Sequence, residues 1–87
     1  MKISQVEQSN QLTYILASLK ELSEDSAVPK NVKSAMLQTM HLLESSEELS
    51  IKVSRALHLL EEVADDANVQ AYTRSQLLNI VSMLEVV

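Results

Sequence analysis

The chain has 87 residues, 46% of them hydrophobic, and its 12 acidic against 7 basic side chains give a formal net charge of −5. Because cysteine and glycine are both absent, disulfide bonds, thiolate metal sites and glycine-rich phosphate loops are excluded. No basic stripe is available to displace counterions from nucleic-acid phosphates, and no apolar run is long enough to span a membrane. We therefore expect a soluble intracellular protein that binds neither nucleic acid nor a membrane.

The predicted elements follow an internal repeat. Residues 4–44 align without a gap with residues 45–85, at a period of 41 residues. The first helix begins at a capping box formed by Ser4 and Glu7, in which the serine hydroxyl accepts from a backbone N–H three residues on. Apolar residues then recur at helical spacing, which predicts a helix over residues 4–23.

The second and third helices have signals of their own. Periodicity stops at a turn before Pro29, a residue that is favourable at the first position of a helix, and we predict the second helix over residues 29–44. Ser45 followed by Glu48 repeats the capping box of the first helix. A third helix is therefore predicted over residues 46–64.

A second turn precedes the fourth helix, predicted over residues 70–85 with Asn68 or Asp66 available as its cap. Two hairpins with short connections predict an all-α fold, a four-helix up-and-down bundle that forms a single domain over residues 1–87. The alternative is a HEAT-like pair of stacked hairpins. The repeat length fits that alternative, but two such repeats bury too little surface.

Three segments carry a resemblance to a known family: residues 3–8 (ISQVEQ), 24–32 (EDSAVPKNV) and 77–85 (LLNIVSMLE). With them the chain resembles the archaeal uncharacterised protein family zero-one-four-seven over nearly its whole length. The chain departs from the family at residues 68–71, where prolines that open the last helix are expected. The resemblance implies a compact helical fold and an archaeal cytoplasm, and it assigns no catalytic residue, cofactor or substrate.

An acidic cluster is predicted at one end of the bundle, because both turns within the hairpins lie at the same pole. The seven acids of this acidic pole are Glu21, Glu24, Asp25, Glu61, Glu62, Asp65 and Asp66. We interpret the four acids in the turns as caps of the helices that follow, where negative charge is favourable. The alternative is that the acidic pole binds divalent cations or a basic partner through carboxylate oxygens.

Residues that could carry chemistry are few. His41 and His58 each precede a glutamate by three residues on one helix face, a spacing that could hold a metal. Metal sites in bundles need further inward carboxylates, so we expect surface histidines and no metal site. No serine lies in a glycine-flanked elbow, and neither histidine has a partner that would make it a base. We therefore predict no catalytic residue, no cofactor, no small-molecule substrate and no enzyme activity.

Apolar residues outside the core stripes predict an interaction surface. Four of them form two repeat-equivalent pairs on the second and fourth helices, Leu37 with Leu78 and Leu42 with Met83. An apolar patch on a bundle usually marks an interface, and the alternative is a broad leucine-rich core with a few exposed side chains. The sequence alone does not reveal a function. Its best interpretation is a protein–protein interaction module that forms a homodimer or docks a helical partner.

Overall fold

The computed structural model describes residues 3–87, which form four α-helices. They are α1 (Gln5–Ser23), α2 (Lys30–Leu43), α3 (Leu49–Ala64) and α4 (Ala71–Glu85). This part of the chain contains no strand, and the predicted all-α class is confirmed. None of the helices formed by residues 3–87 is long and apolar enough to cross a membrane.

The helices pack in a closed cycle. The backbone of each helix lies next to those of its neighbours in sequence, and α1 also lies next to α4, whereas no Cα atoms of α1 and α3, or of α2 and α4, come within 8 Å of each other. Stacked HEAT-like hairpins would bring like helices of the two hairpins together, so this pattern is that of an up-and-down bundle. The backbone N–H of Ile3 donates to the carbonyl of Val86 over 3.2 Å, which joins the two ends of the described chain.

One hydrophobic core contains residues of all four helices, and equivalent positions of the two repeats supply it. Leu19 in α1 and Leu60 in α3 are both fully buried, as are Met36 in α2 and Leu77 in α4. Each side chain buried in this way contributes about 1.5 to 3 kcal/mol to the stability of the folded state. The repeat therefore provides two hairpins with matching apolar stripes, and each hairpin covers the stripe of the other.

Each hairpin turn adds a buried valine to this core. Val28 and Val69 are each 4% exposed. The backbone N–H of each valine donates to the carbonyl of the aspartate three residues earlier, over 3.2 and 3.1 Å, which is the hydrogen bond of a β-turn. The Asp-x-x-Val pattern that both repeats share thus has a structural cause.

One of the two bonds of the predicted capping box at the start of α1 is confirmed, the one that the serine hydroxyl accepts. Ser4 is the N-cap, and its hydroxyl accepts from the backbone N–H of Glu7 over 3.3 Å. The same hydroxyl donates to Glu7 Oε1 over 3.3 Å. The glutamate therefore returns to the serine side chain, which holds the first turn of α1 in place.

The predicted capping box at Ser45 is wrong. The Ser45 hydroxyl donates to the Leu42 carbonyl over 2.7 Å, because the last turn of α2 leaves carbonyls without a helical donor. At the same end of α2, Lys52 Nζ donates to the carbonyls of Leu43 and Ser45 over 3.1 and 3.0 Å. Consequently α3 begins later than predicted, after Glu48, an N-cap whose side chain makes no capping bond.

Candidate interaction surface

Two adjoining shallow grooves lie between α2 and α3, with volumes of about 670 and 540 Å³. Leu42 from α2 and Arg55 and Leu59 from α3 line both grooves. We name the two grooves together the α2–α3 surface. Its other lining residues are Leu37, Gln38, His41, Ser45, Glu47, Ser54, Leu57, His58 and Glu61.

Two of the four predicted interface residues lie on the α2–α3 surface. The helical period of α2 directs Met36 and Thr39 into the core, and it therefore turns Leu37 outward, where the side chain is 56% exposed. Leu42 is half-buried and packs against the edge of the core. The exposed Leu37 thus lines a groove together with the leucines at positions 42 and 59 and several polar side chains.

The other two predicted residues lie elsewhere. Leu78 on α4 is 48% exposed, and Met83 is half-buried against the core. Neither residue lines the two grooves, and α4 lies diagonally across the bundle from α2, so the repeat-equivalent pairs belong to separate surfaces. An interface role for Leu37, Leu42 and these two residues stays a prediction.

Charged side chains are few on the α2–α3 surface. Arg55 Nη1 lies 3.5 Å from Glu47 Oε2, and the two side chains are 62% and 43% exposed.

Both histidines of the chain line the surface, His41 from α2 and His58 from α3. His58 Nε2 lies 3.9 Å from Glu62 Oε2, so it contacts the glutamate four residues on. The sequence pattern had singled out the glutamate three residues on.

Arg55 and Leu59 lie where the two grooves meet. Sequence reasoning missed Arg55; it counted Leu59 among the apolar residues outside the core stripes but did not include it in the predicted interface. A signal was available, because these are positions at which the repeats differ in character. Tyr14 is the equivalent of Arg55, and Ser18 is the equivalent of Leu59. Where equivalent positions of the two repeats hold different kinds of residue, one hairpin can form a binding surface that the other hairpin lacks.

The two hairpin turns lie at the same pole of the bundle, as the predicted topology requires. Asn31 Nδ2 at the start of α2 donates to Asp66 Oδ2 in the turn between α3 and α4, over 2.8 Å. Asp25 Oδ1 accepts from the backbone N–H of Ala27 over 2.9 Å, and Asp66 Oδ1 accepts from that of Asn68 over 2.8 Å. Both aspartates therefore form Asx turns with their own segment.

The interpretation of the turn acids as caps of the following helices is wrong. Glu24 and Asp65 are the C-caps of α1 and α3, while the N-caps of α2 and α4 are Pro29 and Gln70, which make no side-chain capping bond. The two aspartates lie four residues before these N-caps. That distance is too great for capping, because the turn first folds its valine into the core.

The pKa of the Asp66 carboxyl is lowered from its ordinary value. The largest cause is the hydrogen bond from the backbone N–H of Asn68, and the second is the bond from the Asn31 amide; the charge of Arg74 adds a smaller effect, and desolvation acts in the opposite direction. The carboxylate of Asp66 is thereby engaged by donors of the protein itself.

Across residues 3–87, no three histidine or carboxylate side chains come together in a way that could hold a metal ion.

Comparison with known proteins decides the family. The uncharacterised protein family UPF0147 matches residues 1–87. The chain belongs to this family. The UPF0147 protein Ta0600 of Thermoplasma acidophilum is 40% identical over 77 residues, which cover 87% of this chain and 84% of that protein. The UPF0147 protein MJ1419 of Methanocaldococcus jannaschii is 36% identical over 68 residues, which cover 77% of this chain and 73% of that protein.

A solved structure shares the fold of this UPF0147 chain. The crystal structure of the unknown function protein MMP1188 superposes with a TM-score of 0.86 at 31% sequence identity, covering 100% of this chain and 97% of that one. The resemblance to a small archaeal helical family is therefore confirmed. None of these names states an activity, so the function has to be argued from the surface of the molecule.

Proposed function

We propose that this UPF0147 protein is a non-enzymatic protein–protein interaction module that acts through the α2–α3 surface. The observation that carries the proposal is Leu37, which is 56% exposed beside a groove that Leu42 and Leu59 line. The surface fits a helical partner, either a second copy of the chain or another protein, because an apolar helix face can lie between α2 and α3. The family resemblance supports action in the cytoplasm.

The core is complete without Leu37. The buried cluster includes Val32, Met36 and Leu43 of α2, and Leu37 is not part of it. A leucine that contributes little to the stability of the single chain is left in water at a cost of about 25 cal/mol per Å² of apolar surface. Contact with another protein removes this cost, which is why apolar patches on small bundles usually mark interfaces.

The shape and chemistry of the surface support binding over catalysis. Its grooves are shallow, and leucines lie among their polar lining residues, whereas catalytic pockets are enclosed and hold polar groups that converge on one point. His58 faces Glu62 at 3.9 Å with its side chain 84% exposed, an arrangement typical of a solvated helix face. The acidic pole is the lesser candidate for cations or a basic partner, since Asp25 and Asp66 already accept bonds within their turns.

A matched pair of variants tests the proposal. Leu37→Glu places a charge on the α2–α3 surface, and Leu78→Glu places the same charge at the repeat-equivalent position outside it. We expect Leu37→Glu to lose the bound partner while its helical circular-dichroism signal is retained, and Leu78→Glu to behave as the wild type. Complex mass by light scattering and co-purification from a native extract are the measurements. Unchanged binding by Leu37→Glu in both assays would refute the proposal.

A further inference from the structure

We infer that the α2–α3 surface is covered by a second copy of this chain, related to the first by a two-fold axis that passes beside Arg55. This inference rests on the proposed function and names the occupant of its surface. In the dimer, Arg55 contacts the partner's Glu47, and Glu47 contacts the partner's Arg55. The leucines around this centre are covered by the same leucines of the partner.

The charge distribution favours a second copy over a strongly charged partner. Each chain carries a net charge of −5, so two copies repel unless they meet at a region of low net charge. The α2–α3 surface is such a region, since its ionised lining residues are Arg55, Glu47 and Glu61. A highly basic or acidic partner finds no complementary field there, whereas a second copy brings one base and its acid together.

The position of Arg55 provides the geometry of the pairing. Arg55 lines both grooves and therefore lies near the centre of the surface. Its Nη1 is 3.5 Å from Glu47 Oε2 of the same chain, and a guanidinium has further N–H groups on Nε and Nη2 that can donate to a second carboxylate. A two-fold axis beside this pair supplies that carboxylate and forms a ring of four alternating charges. The ring keeps each charge paired when contact removes water.

The size of the surface suits a weak dimer. On the α3 side its lining extends from Glu47, in the turn before the helix, to Glu61, which is about 20 Å along the helix axis. Two helices side by side are about 20 Å wide. This footprint is smaller than the roughly 800 Å² per partner of a standard interface. We therefore expect a dissociation constant in the micromolar range.

Differences between the two repeats make assembly stop at two copies. Tyr14 stands at the position equivalent to Arg55, and Val6 stands at the position equivalent to Glu47. The surface between α4 and α1 thus cannot form the same ring of charges. A single self-complementary surface closes on itself in a two-fold contact, whereas two such surfaces would extend the assembly into a chain.

The test is a pair of complementary charge reversals, Arg55→Glu and Glu47→Lys, studied by sedimentation equilibrium on the full chain. Each reversal places like charges opposite each other across the axis, and it should raise the dimer dissociation constant about tenfold or more. An equimolar mixture of the two variants, one of them mass-tagged, restores both contacts across the axis, and the heterodimer should have a dissociation constant about tenfold or more below that of either variant's homodimer. Tyr14→Glu is the matched control and should leave the dissociation constant unchanged.

Two results would overturn the inference in distinguishable ways. A wild-type chain that stays monomeric up to high micromolar concentration excludes a second copy, and the proposed function then rests on another helical partner that Leu37→Glu fails to bind. Dimers that tolerate the single reversals, or a mixture that does not regain affinity, exclude the Arg55 arrangement. In that case a lower mass of Leu37→Glu would still support the surface itself. Circular dichroism confirms that each variant is folded.

Discussion

Asn31 Nδ2 donates to Asp66 Oδ2 over 2.8 Å, and this bond joins the two repeats at one pole of the bundle. The two residues are 35 positions apart in the chain. Asp66 also accepts from the backbone N–H of Asn68, so one carboxylate serves both its own turn and the neighbouring hairpin. The equivalent residue of the first repeat, Asp25, makes the Asx turn, and within residues 3–87 its side chain makes no hydrogen bond to the other hairpin.

Acid should weaken the fold through Asp66. Because hydrogen bonds to the carboxylate lower its pKa in the folded state, the unfolded chain binds the proton more readily. The resulting stability is present at pH values above the ordinary aspartate pKa and is lost as the pH falls through the lowered folded pKa. Asp66→Asn keeps an acceptor oxygen but cannot titrate. Urea midpoints of this variant should depend less on pH below about pH 5 than those of the wild type.

Loss of Asp66 should also cost more than loss of Asp25. Each change to Ala removes one Asx turn, but Asp66→Ala additionally leaves the Asn31 amide without its acceptor. Urea unfolding at neutral pH is expected to rank the variants as wild type, Asp25→Ala and then Asp66→Ala in decreasing stability. Equal losses for the two variants would show that the bond between Asn31 and Asp66 contributes nothing measurable.

Arg74 should stabilise the turn between α3 and α4 more than its counterpart stabilises the first turn. Its guanidinium donates to the carbonyls of Ala64, Asp66 and Val69 over 2.8, 3.0 and 3.3 Å. Arg74→Met should cost about 1 to 3 kcal/mol, because these part-buried carbonyls lose a charged donor. The matched change Lys33→Met should stay within about 0.5 kcal/mol. The reverse order in thermal unfolding would contradict this role.

The core leucines of the repeat should be equivalent in energy. Leu19→Ala and Leu60→Ala each remove a fully buried side chain and should cost about 2 to 5 kcal/mol. Leu16→Ala and Leu57→Ala should cost less, since these leucines only pack against the edge of the core. Denaturant unfolding of the four variants checks both statements, and a nearly neutral Leu19→Ala would show that α1 is packed differently.

Charge on α2 should separate binding from folding. Leu37→Glu should leave the free energy of unfolding within about 0.5 kcal/mol of the wild type, because the side chain is exposed. Leu42→Glu places a charge against the core and should cost roughly 2 kcal/mol or more. The pair Leu78→Glu and Met83→Glu on α4 repeats the comparison. If Leu37→Glu unfolded the chain, Leu37 would belong to the core and the proposed surface would be lost.

Much of the fold could be predicted, and so could part of the candidate site. Helical spacing placed all four helices to within three residues, and the box at Ser4 marked the start of α1. The same pattern at Ser45 gave a wrong start for α3, because a serine hydroxyl that follows a helix can bond to the last carbonyls of that helix as readily as it can cap the next one. Leu37 was found because it departs from the core stripe. Arg55 was missed because a single charged residue on a helix has no distinguishing local pattern, and its signal, the difference from Tyr14 of the first repeat, appears only when the two repeats are compared.

The sequence by itself determined what depends on neighbours along the chain: the helical period, the turns, the repeat and hence the all-α class. Tertiary structure decided what depends on which helix faces meet. Packing of α2 beside α3 joined Leu37, Leu42 and Leu59 into one surface with Arg55 at its centre, and packing at the pole brought Asn31 to Asp66. The physical reason is that apolar periodicity specifies which side of a helix is buried. Which partner covers that side, and therefore which leucines stay in water, is specified only when all four helices pack together.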